Sequence, residues 1–447
     1  MKRGSIILSL CILLLNSKVA KAQQDSIWTL EECIAYALEQ NITIRKTGLS
    51  NQSLEYQAAQ TKAQRFPALS ASVNQNFSLN RSSSLDDAGN TVYGKGFDAG
   101  NNSGFSINSS VTLFNASRLN NEIKQAKLDI IGGKYNLETT QESVSLSILE
   151  AFLQILYARE AVKNSEKQIE STTEQVRLAG ERLNLRAISK AEYSEYAAEL
   201  ANEKLTLANA KSNLAISKLN LMQLMELPVT DNFEIDLPEL VATLNQSRKP
   251  DINASYEKAL SIKPQIKGAA IEKEIAMLDE KIAKSDYYPS LSAHAGVNTG
   301  YSGQSYGSYF NQLDRGLNPS VSLSLSIPIY QQRSIKTNIA TAKINYQTAE
   351  LDEINTKNAL RKNIEQACFD VESAQTEYEA SLENYNYTHE SFALSEEKFR
   401  QGSINSVDFL VSKTKLIEAE SGLLQSKFNL IFCYKILDFY MGIPLTL

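Results

Sequence analysis

Residues able to do acid–base, nucleophilic or metal chemistry are few in this sequence, and they are scattered. The only two histidines are His294 and His389, and neither has a ligand partner at a useful spacing. The four cysteines, Cys11, Cys33, Cys368 and Cys433, fall at no disulfide or metal spacing and read as small buried hydrophobes. No nucleophile elbow and no phosphate loop is present. The sequence therefore predicts no enzyme, no cofactor and no metal. The formal charge is −6, and residues 1–22 hold four positive side chains (Lys2, Arg3, Lys18, Lys21) and no negative one, so the rest carries −6 minus 4, or −10. That argues against nucleic acid as a partner. What remains is the chemistry of surfaces: which side chains a strand shows to oil and which to water.

The stretch from Tyr287 to Gln332 poses that question most sharply. Leu291, Ala293, Ala295, Val297 and Tyr301 fall on one parity, and Ser292, His294, Gly296, Asn298 and Gly300 on the other. Further on, Val321, Leu323, Leu325, Ile327 and Ile329 alternate with Ser320, Ser322, Ser324, Ser326 and Pro328. Period two predicts strands with one apolar and one polar face, at about 289–301 and 319–329. Asp314 and Arg315, at the tip, are the only charges between Asp286 and Arg333. A second hairpin of this kind is predicted at about 67–80 and 104–114, around a loop at 81–104 rich in Ser, Asp, Asn and Gly.

Residues 1–22 read as a secretory signal: Lys2 and Arg3, an apolar run, then Ala20-Lys21-Ala22. No other stretch suits a membrane helix, so any membrane crossing must be by a closed β-barrel. Helical sequence fills most of the rest. A helix is predicted from Trp28 to about Arg65, with Thr29 and Glu32 as a capping box. Helical hairpins follow at 115–227, where Gly132-Gly133 is a candidate break, and at 330–443. An irregular linker spans 228–250, and an irregularity is expected at Pro264 in the helical stretch 251–286.

The second half copies the first. Phe66-Pro67-Ala68-Leu69-Ser70-Ala71 matches Tyr288-Pro289-Ser290-Leu291-Ser292-Ala293 at an offset of 222, and Met225-Glu226-Leu227-Pro228 matches Met441-Gly442-Ile443-Pro444 at 216. The repeats are 23–227 and 251–447, and the difference in offset falls in the hairpin loops. Heptad seams run through Val162, Ile169, Val176 and Leu183 and return through Tyr193, Leu200, Leu207, Leu214 and Leu221, with counterparts from Tyr378 to Phe399 and from Phe409 to Leu437. The turns between them, Glu181–Tyr193 and Glu397–Phe409, are equivalent, each with a polar cap and an acid at the next helix start.

Two hairpins give four strands, and about eight is the practical minimum for a barrel. A chain that spans a membrane this way must oligomerise: two copies give eight strands, three give twelve with room for a lumen. Phe105, Tyr301, Tyr306, Tyr309 and Phe310 are placed near strand ends, where an interfacial aromatic girdle belongs; Tyr93 and Phe97 are weaker candidates. The competing reading is a soluble periplasmic coiled-coil scaffold whose hairpins pack on a partner through the same apolar face.

The leader, the doubled order of helix, strand hairpin and long helical hairpin, the F/Y-P-x-L-S-A start of each first strand and the paired turns together resemble the TolC-type outer membrane efflux protein family. The resemblance covers essentially the whole chain beyond the leader. It implies a mainly α fold with transmembrane β: a homotrimer, a twelve-stranded β-barrel in the outer membrane of a Gram-negative bacterium, and a twelve-helix tunnel through the periplasm. It implies a passive exit duct of a tripartite efflux or type I secretion system, served by a periplasmic adaptor and an inner-membrane transporter. By the same resemblance, adaptor docking falls to the turns, at Leu183, Arg186, Ile188, Ser189 and Lys190 and at Phe399, Gly402, Ile404, Asn405 and Ser406. The chain departs from the family in two ways. Arg186 stands where glycine is usual, and Lys190 and Ser406 stand where some members carry an acid.

Overall fold

The computed structural model describes residues 27–85, 88–89, 91–230, 232–236 and 251–447. The leader and most of the 228–250 linker lie outside them. The elements are α1 (Leu30–Gln40), α2 (Ile42–Ala63), β1 (Ala68–Leu85), β2 (Thr91–Phe114), α3 (Arg118–Asn184), α4 (Lys190–Leu224), α5 (Ile252–Ile262), α6 (Pro264–Ser285), β3 (Ser290–Ser302), α7 (Tyr309–Arg315), β4 (Asn318–Ser326), α8 (Ser334–Arg400) and α9 (Ser406–Tyr440). Helix lengths repeat residue for residue: 11 for α1 and α5, 22 for α2 and α6, 67 for α3 and α8, 35 for α4 and α9. At 1.5 Å per residue a 67-residue helix runs about 100 Å.

The compact units are not the repeats; each unit draws on both. One comprises residues up to Thr47, Leu137–Pro264 and Lys357–Leu447, the other Gly48–Asn136 and Gln265–Thr356. In the first, Cys33, Ile148, Leu149, Ile155, Leu221, Met225, Ile235 and Ile431 are nearly or fully closed to solvent. Thr29 and Glu32 form the predicted capping box, with Glu32 N donating to Thr29 Oγ1 at 3.2 Å and Thr29 N to Glu32 Oε2 at 3.0 Å. The helix expected from Trp28 to Arg65 is two helices. Asn41 ends α1 with ψ 127°, donates its Nδ2 to Leu224 O at 2.9 Å, and accepts Thr43 N at 2.9 Å. The side chain thus replaces the hydrogen bonds that the break removes. The linker is not wholly irregular either: Trp28 and Ile235 form a parallel bridge. The Pro264 irregularity is a helix boundary, with Lys263 extended at ψ 125°. Lys263 is buried, its ammonium 3.1 Å from Glu142 and 3.3 Å from the centre of the Phe439 ring. Burial lowers its pKa, against the pull of Glu142.

The second unit holds an open four-stranded antiparallel sheet in the order β1-β2-β3-β4. The strands correct the sequence reading in three places. The 81–104 loop is mostly strand: β1 pairs with β2 as far as Leu85↔Thr91. Ser, Gly, Asn and Asp dominate that stretch and its few apolar residues do not alternate, so no period-two pattern marks the ladder. Phe105 is consequently mid-strand, opposite Val73 and Thr299, and not at a strand end. And the second hairpin carries the helix α7 at its tip.

Gly132-Gly133 does not break α3. A Cβ on Gly133 would meet Asn51 and come within 2.9 Å of Leu54 Cδ1, so this glycine serves close helix packing. Where β2 enters α3, Ala116 and Ser117 both have positive φ, and their repeat counterparts Gln332 and Arg333 do likewise. Arg118, the first residue of α3, pairs with Asp286 and, at 2.9 Å, with Glu122.

Candidate functional site: paired turns and an open sheet

Each long helix ends in a Schellman-type turn. In the first, Arg186 has φ +57°, Ala187 N donates to Arg182 O at 2.8 Å and Arg186 N to Leu183 O at 2.9 Å. In the second, Gly402 has φ +71°, Ser403 N donates to Lys398 O at 2.8 Å and Gly402 N to Phe399 O at 3.0 Å. Ser189 and Asn405 then cap α4 and α9, accepting Glu192 N at 3.1 Å and Asp408 N at 2.8 Å. The left-handed region costs a non-glycine residue about 1–2 kcal/mol, and glycine returns about 0.4–1 kcal/mol of that in chain entropy. Arg186→Gly should therefore stabilise the tip slightly and Gly402→Arg should destabilise it by about 1 kcal/mol. Urea melts of the two variants, with opposite signs, check this.

The predicted tip residues sort into two sets. Ile188, Phe399 and Ile404 pack around Ala179, Tyr196 and Phe409, and the Phe399 and Phe409 rings stack at 4.7 Å. Ser406 is buried too, and its Oγ donates to Glu195 Oε2 at 3.0 Å, joining the two turns. Leu183 is half-buried, while Arg186, Ser189, Lys190, Gly402 and Asn405 face solvent. Leu185, which belongs to the same turn and stands off the heptad seam through Leu183, is 80% exposed at the apex.

Beside this cluster lies a cavity of about 240 Å³. Gln175 Oε1 and the Tyr196 hydroxyl are buried on residues lining it, with no partner among the described residues. Burial pushes the Tyr196 phenol up to about 12, with the Glu192 charge adding. On the outside Arg177 bridges Glu174 and Glu181, each at 2.5 Å. The hydrogen bond to Glu174 holds the guanidinium above its ordinary value and the Glu174 carboxyl below its own. Further along the same helices Lys413 of α9 is buried against α3 and α4. Its Nζ donates to Thr172 and, at 2.8 Å, to Glu203 Oε1, which also accepts Gln168 Nε2 at 3.2 Å.

The sheet shows one apolar face. Leu69, Val73, Phe77 and Leu79 of β1 lie exposed on it, as do Ile107 of β2, Val297 of β3 and Val321, Leu323 and Leu325 of β4. The other face carries Ser70, Ser72, Ser106, Asn108, Ser110, Ser292, Ser320, Ser322 and Ser324. His294 is on this polar face, opposite Ser110 and Ser322; His389 is on α8 with its ring 5.7 Å from that of Tyr385. Neither belongs to a metal-binding group among the described residues. Cys33, Cys368 and Cys433 are unpaired and buried, and burial pushes the Cys33 thiol up to about 12. Of the predicted girdle, Tyr301 and Tyr309 meet at a tilt, ring centres 4.9 Å apart, and Tyr309 and Phe310 meet edge-on at 5.6 Å, while Tyr306 stands free in solvent. No helix among the described residues is long and apolar enough to cross a membrane.

The chain is similar to known proteins over most of its length. Toxin and drug export protein A of Aggregatibacter actinomycetemcomitans is 20% identical over 402 residues, 90% of this chain and 83% of that one. Outer membrane protein TolC of Escherichia coli K12 is 22% identical over 306 residues, 65% of this chain and 60% of that one. The open state of the Neisseria gonorrhoeae MtrE outer membrane channel shares the fold, with TM-score 0.72 at 17% identity over 94% of this chain and 90% of that one. The model of the outer membrane efflux protein family matches residues 33–226 and 255–430, the two repeats in turn, and the chain belongs to that family.

Proposed function

We propose that three copies of this chain join β4 to β1 into a closed twelve-stranded barrel in the outer membrane of a Gram-negative bacterium. Helices α3, α4, α8 and α9 of each copy continue it as a twelve-helix tunnel through the periplasm. The assembly is the passive exit duct of a tripartite efflux or type I secretion system. The observation that carries this reading is the sheet: apolar on one face, serine-lined on the other, with the outer edges of β1 and β4 unpartnered among the described residues. An apolar face of this size is stable in lipid, the serine face suits a wet lumen, and unpaired edges inside a bilayer demand closure. Family membership and a relative named for toxin and drug export support a duct that passes cargo. Native mass spectrometry of the detergent-extracted full chain should give three copies, and the same sample should conduct ions in a planar bilayer. A stable monomer, or release from membranes by carbonate, overturns the proposal and favours a soluble scaffold.

The solvent-facing tip residues Arg186, Ser189, Lys190, Gly402 and Asn405, with Leu185, form the docking surface for a periplasmic adaptor, through which an inner-membrane transporter delivers cargo. Tyr301, Tyr309 and Phe310 mark one edge of the apolar band. Reversing two exposed charges, Arg186→Glu with Lys190→Glu, should weaken adaptor binding at least about tenfold, equivalent to ~1.4 kcal/mol. The trimer should survive, because neither side chain enters the buried cluster. Unchanged adaptor pulldown and export would remove the tip from the docking surface.

A further inference from the structure

β1 has 18 residues and β4 has nine. If the two strands meet at the seam between copies, nine residues of β1 have no strand in β4 to pair with. The internal repeat says which. Inside one chain β2 pairs with β3 so that Asn102 faces Ser302 and Ser110 faces His294. Adding 216 to the β2 numbers and subtracting 222 from the β3 numbers gives the equivalent seam: Asn318 facing Asn80, Val321 facing Phe77 and Ser326 facing Ser72 of the next copy. Ala68–Ala71 of β1 then lie below β4, and Arg81–Leu85 run on past its top.

Helix α7 stands where β4 gives out. β4 begins at Asn318, opposite Asn298, but β3 continues to Ser302. Gly303 N donates to Asn101 O of β2 at 2.7 Å, so the amide of Ser302 points to the other edge, the one β4 would have filled. Gln312 of α7 fills it instead: its Oε1 accepts Ser302 N at 2.9 Å, and its Nε2 donates to Ser305 O and Gly307 O, both at 3.1 Å. Thr299 Oγ1 donates to Leu313 O at 2.5 Å. One face of α7 is thereby fixed on the β3 edge, and the Tyr309 ring packs at a tilt against that of Tyr301. The remainder is uncovered: Phe310 is 80% exposed and Tyr306 fully so. Across the seam Phe77 and Leu79 are also exposed.

We infer that α7 is a strap between subunits: it caps Arg81–Leu85, the unmatched upper end of the next copy's β1, laying Phe310 and Tyr306 beside Leu79 at its foot. An antiparallel edge left open at this height would expose its amides and carbonyls as a template for stray pairing, and a short helix on the adjoining edge blocks that. The inference rests on the proposed trimeric barrel, and two cysteine pairs separate the two ideas.

Phe77→Cys with Val321→Cys reports the seam itself, and Phe310→Cys with Leu79→Cys reports the strap. Phe310→Cys with Leu69→Cys is the control, since Leu69 lies about 33 Å down the same strand, ten residues at ~3.3 Å. Each is made in the full chain and treated in outer membranes with a flexible bis-maleimide of about 10 Å reach; Cys33, Cys368 and Cys433 are buried. The expected result is cross-linked dimers and trimers with the first two pairs and monomers with the control. Gln312→Ala should abolish the Phe310–Leu79 product, leave the Phe77–Val321 product, and lower the temperature at which the trimer dissociates in SDS. Absence of the Phe77–Val321 product overturns the barrel seam. Its presence without the Phe310–Leu79 product, with the thiol of Phe310→Cys still open to maleimide, overturns the strap and leaves these aromatics as lipid contacts only. A Phe310–Leu79 product that survives Gln312→Ala with an unchanged dissociation temperature also overturns it.

Discussion

Lys413→Ala should destabilise the helical unit by about 3–5 kcal/mol, more than any substitution at the exposed tip. Lys413 and Glu203 are the central ion pair of that unit, with side chains 3% and 7% exposed. Three helices meet there: Lys413 comes from α9, Glu203 from α4, and Thr172 and Gln168 from α3. Removing the ammonium leaves the Glu203 carboxylate closed to water with Gln168 as its remaining donor, and its Oε2 already has no partner among the described residues. A buried, unpaired charge is far costlier than a missing pair. The double variant Lys413→Met with Glu203→Leu should therefore recover most of the loss. Urea melts of the purified chain in detergent, read by circular dichroism, give both numbers. Equal losses in the single and double variants would mean that packing volume, and not charge pairing, governs the site.

That pair marks the limit of what the sequence could disclose. Lys413 and Glu203 are 210 residues apart, and each reads locally as one charge on a heptad helix. The seams around them were legible because a seven-residue period is a property of one segment: Leu221, Phe409, Leu430 and Leu437 are all on it and all buried. Caps at Thr29, Ser189 and Asn405 were legible for the same reason. The positive φ at Gly402 had its glycine, and the one at Arg186 could be inferred only from the repeat. The paired left-handed residues Ala116-Ser117 and Gln332-Arg333 carry no such mark, since neither copy uses glycine. The break at Asn41 and the helix α7 depend on side-chain bonds to distant backbone, to Leu224 O and from Ser302 N, which no local pattern encodes. At the tip, residue type distinguished a turn from a helix. It did not separate Ile188 and Ile404, which hold the turns together, from Arg186 and Lys190, which face outward.

Two neighbouring residues of β4 should respond oppositely to the same new side chain. Leu323 lies near the middle of the strand on the apolar face, opposite Ala293; Ser322 lies on the serine face, opposite His294. If the sheet is part of a lipid-embedded barrel, Leu323→Arg puts a guanidinium into hydrocarbon at roughly mid-depth, a cost of about 2–4 kcal/mol in each chain. In the proposed trimer the cost recurs in each chain, and the variant should be depleted from the outer membrane and recovered as proteolysed or aggregated chain. Ser322→Arg places the same group in the lumen, where water solvates it. It should insert normally and shift the conductance of the planar-bilayer channel toward anions. Heat-modifiable migration in SDS gels reports insertion, and reversal potentials report selectivity. Normal insertion of Leu323→Arg together with failure of Ser322→Arg would mean that the faces are exchanged. Normal insertion of both with unchanged conductance would mean that neither face meets lipid or lumen, because period-two chemistry of this kind has consequences only when the two sides of the sheet meet different solvents.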